Sequence, residues 1–371
     1  MNELVCIDLP NGQQFVDRIK QAWDEGDAVF PLDQRLPAPG KAQLIAEISP
    51  TVIVGPHEES RVAGRPVEHG DALVVATSGS TGSPKAAVLT MDAVIASAKA
   101  TSSRLNTSYA DIWLACLPPS HVGGLSVITR SLIMGHRLIA VPTFSEEAYN
   151  EAAQNGATMV SLVSTALQRV DPHLYRTIVL GGAKPPANRP KNSVATYGMT
   201  ETGSGVVYDG VPLTDVQIQI RDSVIFIKCP MLFRGYRDGS SPIDSDGWYR
   251  TGDMGSISTD GVLSVEGREG DLIITGGENV WPDTVETAII SHDHISDVCV
   301  AGVVDPIWGH SVHAWIVTSD EHLVTLNEIR DHVKRTLPAF CAPQHIHIVP
   351  SIPRTAIGKP QRALLAARLN N

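Results

Sequence analysis

The residues best suited to chemistry lie in a segment rich in hydroxyl groups and glycine, TSGSTGSPK, at residues 77–85. The segment directly follows an apolar run and ends in Lys85. Backbone N–H groups, hydroxyl donors and an ammonium group at this density suit a loop that surrounds phosphate oxygens. The order of residues does not match the GxxxxGK[ST] phosphate-binding motif. A plain serine–glycine surface loop is the alternative interpretation.

Two shorter segments place carboxylates beside groups that contact nucleotides. YGMTETG, at residues 197–203, offers the stackable ring of Tyr197, the hydroxyl of Thr200 and the carboxylate of Glu201. Because Mg²⁺ takes one or two protein oxygens and fills its other positions with phosphate and water, Glu201 is a candidate metal ligand. A solvated turn is the alternative for this segment. In WYRTGDMG, Asp253 suits a carboxylate that accepts hydrogen bonds from a ribose diol.

Two further segments lie nearer the C-terminus. GREGDLIITGGENVWPDTVE contains Arg268 and three glycines, Gly270, Gly276 and Gly277, which give the backbone conformational freedom. PRTAIGKPQR contains Lys359 directly after a glycine. Taken alone, a lysine in such a position indicates a solubilising surface charge.

In this order, the five segments resemble those of the adenylate-forming superfamily, which contains acyl-CoA synthetases, luciferases and adenylation domains of peptide synthetases. The resemblance covers nearly the whole chain from residue 70 to residue 365. It implies an enzyme that uses ATP and Mg²⁺ to convert a carboxylic acid into an acyl-AMP. It further implies that the acyl group is then passed to coenzyme A as co-substrate.

The resemblance also implies roles for individual residues. Those that match the ATP phosphate loop are Thr77, Ser78, Gly79, Ser80, Thr81, Gly82 and Lys85. Tyr197 is similar to the residue that stacks on adenine, whereas Asp253 and Arg268 match residues that bind the ribose. Those that match catalytic residues are Thr200 at the α-phosphate, Glu201 at Mg²⁺, His121 at the acyl pocket and the mobile Lys359.

The implied mechanism includes a rotation of the C-terminal domain about a hinge at Gly270, which withdraws Lys359 between the two half-reactions. Three features depart from the family pattern. Ala86 follows the phosphate-loop lysine where glycine is usual, and Gly270 stands where aspartate or lysine is common. Only 76 residues precede Thr77, so much of the usual first subdomain is expected to be missing.

The acid is indicated by LPPSHVGGLSVITRSLIMG, VLGGAKPP and VVYDGVPL, which resemble the compact o-succinylbenzoate–CoA ligases of actinobacterial menaquinone biosynthesis. By that resemblance His121 lies at the mouth of the acyl pocket, and Gly181 and Gly182 shape its wall. This acid has a second carboxylate that must be neutralised when buried. Arg130 is the candidate partner, directly or through water. The alternatives are a helix-surface charge for Arg130 and a satisfied core histidine for His121.

Other functions stay open at this point. One is the ligation of another small aromatic or medium-chain acid to coenzyme A. A second is a stand-alone adenylation enzyme that loads a separate carrier protein. A third is a non-enzymatic nucleotide sensor, which is disfavoured because Lys85, Glu201, Asp253 and Lys359 are all present.

The elements that position these residues follow an alternating pattern. Short β-branched runs at 72–77, 112–117, 137–141, 158–163 and 177–182 alternate with helix-period segments such as 91–104 and 146–155. This pattern predicts an α/β fold with largely parallel sheets. A small antiparallel β-subdomain is expected over 211–265. We expect an ATP- and acid-binding domain over 1–268 and a mobile α+β domain over 269–371.

Composition narrows the class of protein. The chain has 371 residues and a formal net charge of −11, which disfavours non-specific binding to nucleic acid. Its five cysteines are scattered, so neither a disulfide framework nor a zinc site is expected. The first residues lack the pattern of a signal peptide, and no run reaches the roughly 18 apolar residues of a membrane span. A cytoplasmic enzyme is expected, and a homodimer is left open.

Overall fold

The structure is a computed structural model that describes residues 2–77, 85–182, 185–186, 188–319, 324–354, 360–367 and 369. Contacts divide the chain into two compact units: 1–218 with 227–250, and 219–226 with 251–371. The expected C-terminal domain began at 269, whereas residues 219–226 and 251–268 group with the second unit. The expectation that a domain moves about Gly270 is a separate matter and stays a prediction.

The strands up to residue 212 belong to the first unit. They are β1 (Leu4–Ile7), β2 (Ala28–Pro31), β3 (Val52–Val54), β4 (Glu59–Arg61), β5 (Asp71–Thr77), β6 (Lys85–Thr90), β7 (Ile112–Ala115), β8 (Arg137–Ala140), β9 (Met159–Leu162), β10 (Thr177–Leu180), β11 (Ser193–Gly198), β12 (Gly205–Tyr208) and β13 (Val211–Pro212). The α-helices among them are α1 (Gln13–Asp24), α2 (Ala38–Ile48), α3 (Met91–Arg104), α4 (Val122–Met134), α5 (Glu146–Gln154) and α6 (Ser164–Leu167).

The remaining elements follow residue 212. The strands are β14 (Gln217–Arg221), β15 (Val224–Lys228), β16 (Gly235–Tyr236), β17 (Tyr249–Ile257), β18 (Leu263–Arg268), β19 (Ile273–Thr275), β20 (Glu278–Val280), β21 (Ile295–Asp305), β22 (Gly309–Thr318) and β23 (His345–Ile348). The α-helices are α7 (Pro282–Ile289), α8 (Leu326–Val333) and α9 (Arg362–Ala367).

Two seven-stranded sheets form the first unit, with strand orders β16-β6-β5-β2-β1-β3-β4 and β13-β12-β11-β10-β9-β7-β8. Strands β2, β1 and β3 are parallel, and so are the neighbours β8, β7, β9, β10 and β11 of the second sheet. The expected α/β class with largely parallel sheets is therefore confirmed. The parallel order also brings the carboxyl ends of β7, β9, β10 and β11 to one edge.

Local sequence signals explain the helices that cover these sheets. Helix α3 begins at Met91 and ends at Arg104, as predicted. The side chain of Thr90 caps it by accepting a hydrogen bond from the Ala93 N–H, and Arg104 lies in the last turn, where a cation interacts favourably with the helix dipole. Helix α4 ends at Gly135, whose φ of 71° is the left-handed conformation that glycine adopts readily.

The predicted small β-subdomain is present as a separate four-stranded sheet, but not all of 211–265 belongs to it, because two strands of that range pair elsewhere. Strand β13 pairs with β12 in the second sheet, because the turn at Asp209 and Gly210 has the positive φ values of a tight hairpin. Strand β16 pairs with β6 in the first sheet. Only β14, β15, β17 and β18 form a separate four-stranded sheet.

The C-terminal part of the second unit is an α+β body, as expected. Its five strands follow the order β20-β19-β22-β21, with β23 paired to β22. Helices α7 and α8 supply Val285, Ile289, Ile329 and Val333 to a core shared with one face of this sheet. On β22 and β23, His313 donates or accepts a hydrogen bond with His347 at 2.9 Å and is 7% exposed. Burial, together with the neighbouring His345 and His347, lowers the pKa of His313 to about 4.

None of the helices described by the structure is long and apolar enough to cross a membrane.

Candidate active site

The carboxyl edge of the second sheet gathers several of the predicted site residues of the first unit, namely His121, Gly181, Gly182, Tyr197, Thr200 and Glu201. His121 follows β7, Gly181 and Gly182 follow β10, and Tyr197 to Glu201 end and follow β11. Since β7, β9, β10 and β11 are parallel, these segments emerge on the same side. Ligands of open α/β sheets bind outside the carboxyl ends of the strands. The topology thus assembles residues that are up to 80 positions apart in the chain.

A tight hairpin presents Tyr197, Thr200 and Glu201. Gly198 is required there, because an added Cβ would lie 2.2 Å from the carbonyl oxygen of Ser204. The buried hydroxyl of Thr202 holds the turn by donating to the Ser204 carbonyl at 2.7 Å. Tyr197, Thr200 and Glu201 remain partly exposed. The hairpin is therefore rigid at its base and accessible at its tip.

Glu201 and Lys85 meet at one aromatic ring that the sequence interpretation missed. The hydroxyl of Tyr236 donates to Oε1 of Glu201 at 2.7 Å. The ammonium group of Lys85 lies 4.8 Å from the centre of the same ring, within cation–π range. The pairing of β16 with β6 makes this contact possible, because Tyr236 is opposite Ala87. A carboxylate and an ammonium group thus contact the hydroxyl and the ring of one tyrosine.

The phosphate-loop segment is described only at its two ends. Thr77 and Lys85 are cross-strand partners on β5 and β6, and the Thr77 hydroxyl donates to the Lys85 carbonyl at 3.0 Å. Ser78, Gly79, Ser80, Thr81 and Gly82 lie outside the described residues. The two strands that flank this segment, β5 and β6, are antiparallel neighbours.

His121 is the N-cap residue of α4. It contacts an ion pair, Arg35 with Asp33, that the sequence interpretation missed. Nη2 of Arg35 lies 2.8 Å from Nε2 of His121, and Arg35 also pairs with Asp33 at 2.7 Å. Because a guanidinium only donates hydrogen bonds, Nε2 of His121 must accept, and the ring proton belongs on Nδ1. Burial opposes ionisation of Asp33, but the hydrogen bonds from Arg35 hold the pKa of Asp33 below its ordinary value.

Arg130 is not a helix-surface charge, so that alternative is wrong. Its side chain is 2% exposed, and its guanidinium lies 4.6 Å from the centre of the Trp113 ring. Nine residues separate it from His121, which correspond to about 13 Å along the helix and to the opposite helix face. Helix periodicity therefore places Arg130 and His121 on opposite faces of α4, and their spacing does not direct both side chains to one pocket.

Gly181 and Gly182 lie at the end of β10, next to β11. A Cβ at Gly181 would approach the Thr196 hydroxyl to 3.1 Å, and Gly182 has a φ of 84°. Larger residues are therefore disfavoured at both positions.

In the second unit, the two predicted ribose-binding residues form an ion pair with each other. Asp253 and Arg268 are cross-strand partners on β17 and β18, and Nε of Arg268 donates to Oδ1 of Asp253 at 2.9 Å. Gly270, the predicted hinge, has open space around it, because an added Cβ would meet no atom within 4 Å. In this conformation glycine is not required at residue 270.

Lys359 lies outside the described residues, but the chain on either side is anchored. Arg354 and Pro360 form an isolated antiparallel bridge. Three residues beyond Lys359, Arg362 donates to the Val300 carbonyl at 3.1 Å and to both carboxylate oxygens of Glu286 at 2.9 Å. Arg362 is therefore fixed to the body of the second unit by charge-assisted hydrogen bonds.

The donor groups at the strand edge fit a magnesium–nucleotide complex. Among the described residues, no group of three or more His, Cys, Asp or Glu side chains could by itself hold a metal ion. Mg²⁺ bound with ATP needs only one or two protein oxygens, since phosphate and water supply the others. Glu201, which accepts a hydrogen bond from Tyr236, meets that requirement.

Comparisons with known proteins show the family of this chain. A family model described as AMP-binding enzyme matches residues 30–225, and one described as AMP-binding enzyme C-terminal domain matches residues 284–359. A protein of Mycobacterium tuberculosis named probable 2-succinylbenzoate–CoA ligase is 35% identical over 364 residues, which cover 89% of this chain and 94% of that protein.

Two solved structures of o-succinylbenzoate CoA synthetase from Bacillus subtilis are also similar. One holds the acyl-adenylate intermediate; its TM-score is 0.87 at 26% identity, and the match covers 98% of this chain and 88% of that one. The other holds ATP and a magnesium ion; its TM-score is 0.87 at 26% identity, with coverage of 98% and 89%.

Proposed function

This chain belongs to the AMP-binding enzyme family, and from that premise we propose that it converts 2-succinylbenzoate into its coenzyme A thioester. As an AMP-forming acid–CoA ligase it uses ATP, Mg²⁺ and coenzyme A. The observation that carries the choice of acid is the 35% identity to a 2-succinylbenzoate–CoA ligase along 89% of the chain. The expectation drawn from the sequence motifs and this likeness therefore point to the same reaction.

The reaction has two steps. In the first, a carboxylate oxygen of the acid attacks the α-phosphorus of ATP, and pyrophosphate leaves. In the second, the thiol of coenzyme A attacks the acyl carbon, and AMP leaves. Neither step needs a side-chain nucleophile, so the protein contributes position and charge.

The described residues at the strand edge suit the first step. Mg²⁺ would be held by Glu201 and would supply positive charge next to the phosphates. We propose that Lys85 adds a second positive charge, Thr200 donates to the α-phosphate and Tyr197 stacks on adenine. Asp253 and Arg268 are proposed to bind the ribose hydroxyls. The proposed role of Lys359, between the acyl carboxylate and the α-phosphate, rests on the family resemblance.

Recognition of the acid is proposed for the neighbourhood of His121. Nε2 of His121 accepts from Arg35, so the ring proton belongs on Nδ1. Arg35, whose charge is paired with Asp33, lies beside His121. Gly181 and Gly182 leave room for the aromatic ring. The direct pairing of Arg130 with this carboxylate stays a prediction, although Arg130 is buried on the opposite face of α4.

A screen of pyrophosphate release tests the function. The acids are 2-succinylbenzoate, benzoate and medium-chain fatty acids, each with and without coenzyme A. We expect 2-succinylbenzoate to give the highest kcat/KM, and a thioester to form only when coenzyme A is present. A preference for a monocarboxylate would overturn the choice of acid but keep the ligase class. Acyl-AMP without any thioester would favour an enzyme that loads a carrier protein.

We further propose that the enzyme works in the cytoplasm. Its cysteines are free thiols, and four of them, Cys6, Cys116, Cys299 and Cys341, are buried. Free thiols are typical of a reducing compartment. Gel filtration against mass standards would decide whether the chain forms the homodimer left open by the sequence.

A further inference from the structure

Arg130 is a buried cation for which the described chain provides no anion. Its Nη1 is buried and has no hydrogen-bond partner among the described residues. Burial lowers the pKa of Arg130, and no carboxylate offsets that effect. The face of Trp113, at 4.6 Å, compensates part of the lost hydration. A buried charge without a counter-charge is unfavourable, so a further group is needed at this position.

A small cavity lies beside this guanidinium, between α3, α4 and the strands β5 and β6. Its polar wall consists of Arg130 and three hydroxyl residues, Ser97, Ser126 and Thr129. The rest of the wall is apolar and includes Leu73 and Leu89. The space suits a species of about the size of one water molecule. Arg130 and the hydroxyl groups of Ser97 and Ser126 are donors that suit a monatomic anion, whereas the Thr129 hydroxyl donates to the Ser126 carbonyl at 3.4 Å.

We propose that this cavity is an anion site, in which one small monovalent anion such as chloride binds against Arg130. Water could satisfy the hydrogen-bonding capacity of Nη1 but would leave the buried charge uncompensated. The prediction that Arg130 pairs with the second carboxylate of the acid competes with this proposal, since the space beside the guanidinium is about the size of one water molecule. The inference goes beyond the proposed function and does not depend on the identity of the acid.

The position of the cavity indicates a structural role for the anion. Gly203, which also lines the cavity, directly follows the turn that carries Glu201. Leu73 and Leu89 lie on β5 and β6, the strands that flank the phosphate-loop segment. A bound anion thus neutralises charge directly behind the nucleotide-binding edge. Its effect is expected on the stability of the first unit, without any part in the chemical steps.

Thermal unfolding at constant ionic strength tests this site without any substrate. Sodium gluconate is replaced stepwise by sodium chloride or sodium bromide, and the Tm is measured for the wild type and for Arg130→Met. We expect the wild-type Tm to rise by a few degrees and to saturate, as for a specific ligand. The Tm of Arg130→Met should not respond. Arg176→Met, which removes an arginine paired with Asp111, serves as matched control and should keep the response.

Two outcomes would overturn the proposal: no halide response in the wild type beyond that of a general salt effect, or the same saturable response in Arg130→Met. If Arg130→Met does not fold, crystals of the wild type grown in sodium bromide decide the question. An anomalous peak within hydrogen-bond distance of Nη1 supports the anion site. Water or empty space at that position refutes it.

Discussion

Removal of one hydroxyl group, in Tyr236→Phe, should weaken the use of Mg²⁺–ATP while sparing recognition of the acid. The hydroxyl donates to Oε1 of Glu201 at 2.7 Å, whereas the ring beside Lys85 is kept in phenylalanine. A hydrogen bond to a charged group contributes about 1.5–3 kcal/mol. Because this pair is only part-buried, we take the lower end, which corresponds to about a tenfold change in an equilibrium constant.

The assay is pyrophosphate release with ATP, Mg²⁺ and the acid varied in turn. We expect the KM for Mg²⁺–ATP to rise about tenfold and the KM for the acid to stay within a factor of about two. Tyr149→Phe is the matched control, because the Tyr149 hydroxyl also donates one hydrogen bond, at 3.0 Å to the Asp171 carbonyl, away from Glu201. An unchanged KM for Mg²⁺–ATP in Tyr236→Phe would refute the view that Tyr236 orients Glu201.

Three further perturbations test other parts of the chain. Lys359→Ala should lower adenylation by orders of magnitude but spare thioester formation from preformed acyl-AMP; equal loss in both half-reactions would refute its role. Arg362→Leu removes the anchor three residues beyond Lys359 and should lower adenylation about tenfold or more in the same assay. The control is Arg330→Leu, which removes one hydrogen bond to the Pro343 carbonyl at 2.7 Å and should leave the rate of adenylation unchanged. The pKa of His313 is about 4 in the folded protein and 6.5 in the unfolded chain, so protonation favours unfolding. The contribution of His313 to stability is fully present above pH 6.5 and is lost as the pH falls towards 4. Denaturant unfolding should show a loss of about 3 kcal/mol over this range and a flatter profile in His313→Gln; an equal slope in both proteins would contradict the assignment.

Individual motifs in the sequence predicted much of the site because they are local. The run TSGSTGSPK follows a β-branched strand, and YGMTETG ends another, so each motif could be placed at a strand end without tertiary information. Glycine at residue 198 is part of such a motif, and the structure explains it by the 2.2 Å approach that a Cβ would make. Helix α3 was also predictable, since Thr90 is a local capping signal at its start.

Two contacts could not be predicted in this way. Tyr236 lies 151 residues after Lys85, and only the pairing of β16 with β6 brings its ring to the lysine. Arg35 reaches His121 across 86 residues, from the segment that follows β2. No pattern near either residue indicates a role, because the nearest neighbours in the sequence are unrelated to the contact.

The amino-acid sequence by itself determined the α/β class, the order of the motifs and the family, since strand and helix periods and short motifs are properties of neighbouring residues. Only the tertiary structure decided which faces of the helices are buried by other elements. Arg130 shows the difference: its helix was predictable, but the covering of its guanidinium by Trp113 and its burial to 2% exposure were not. The burial of a side chain depends on which elements pack against its helix. The arrangement of those elements is set by long-range strand pairing rather than by local sequence.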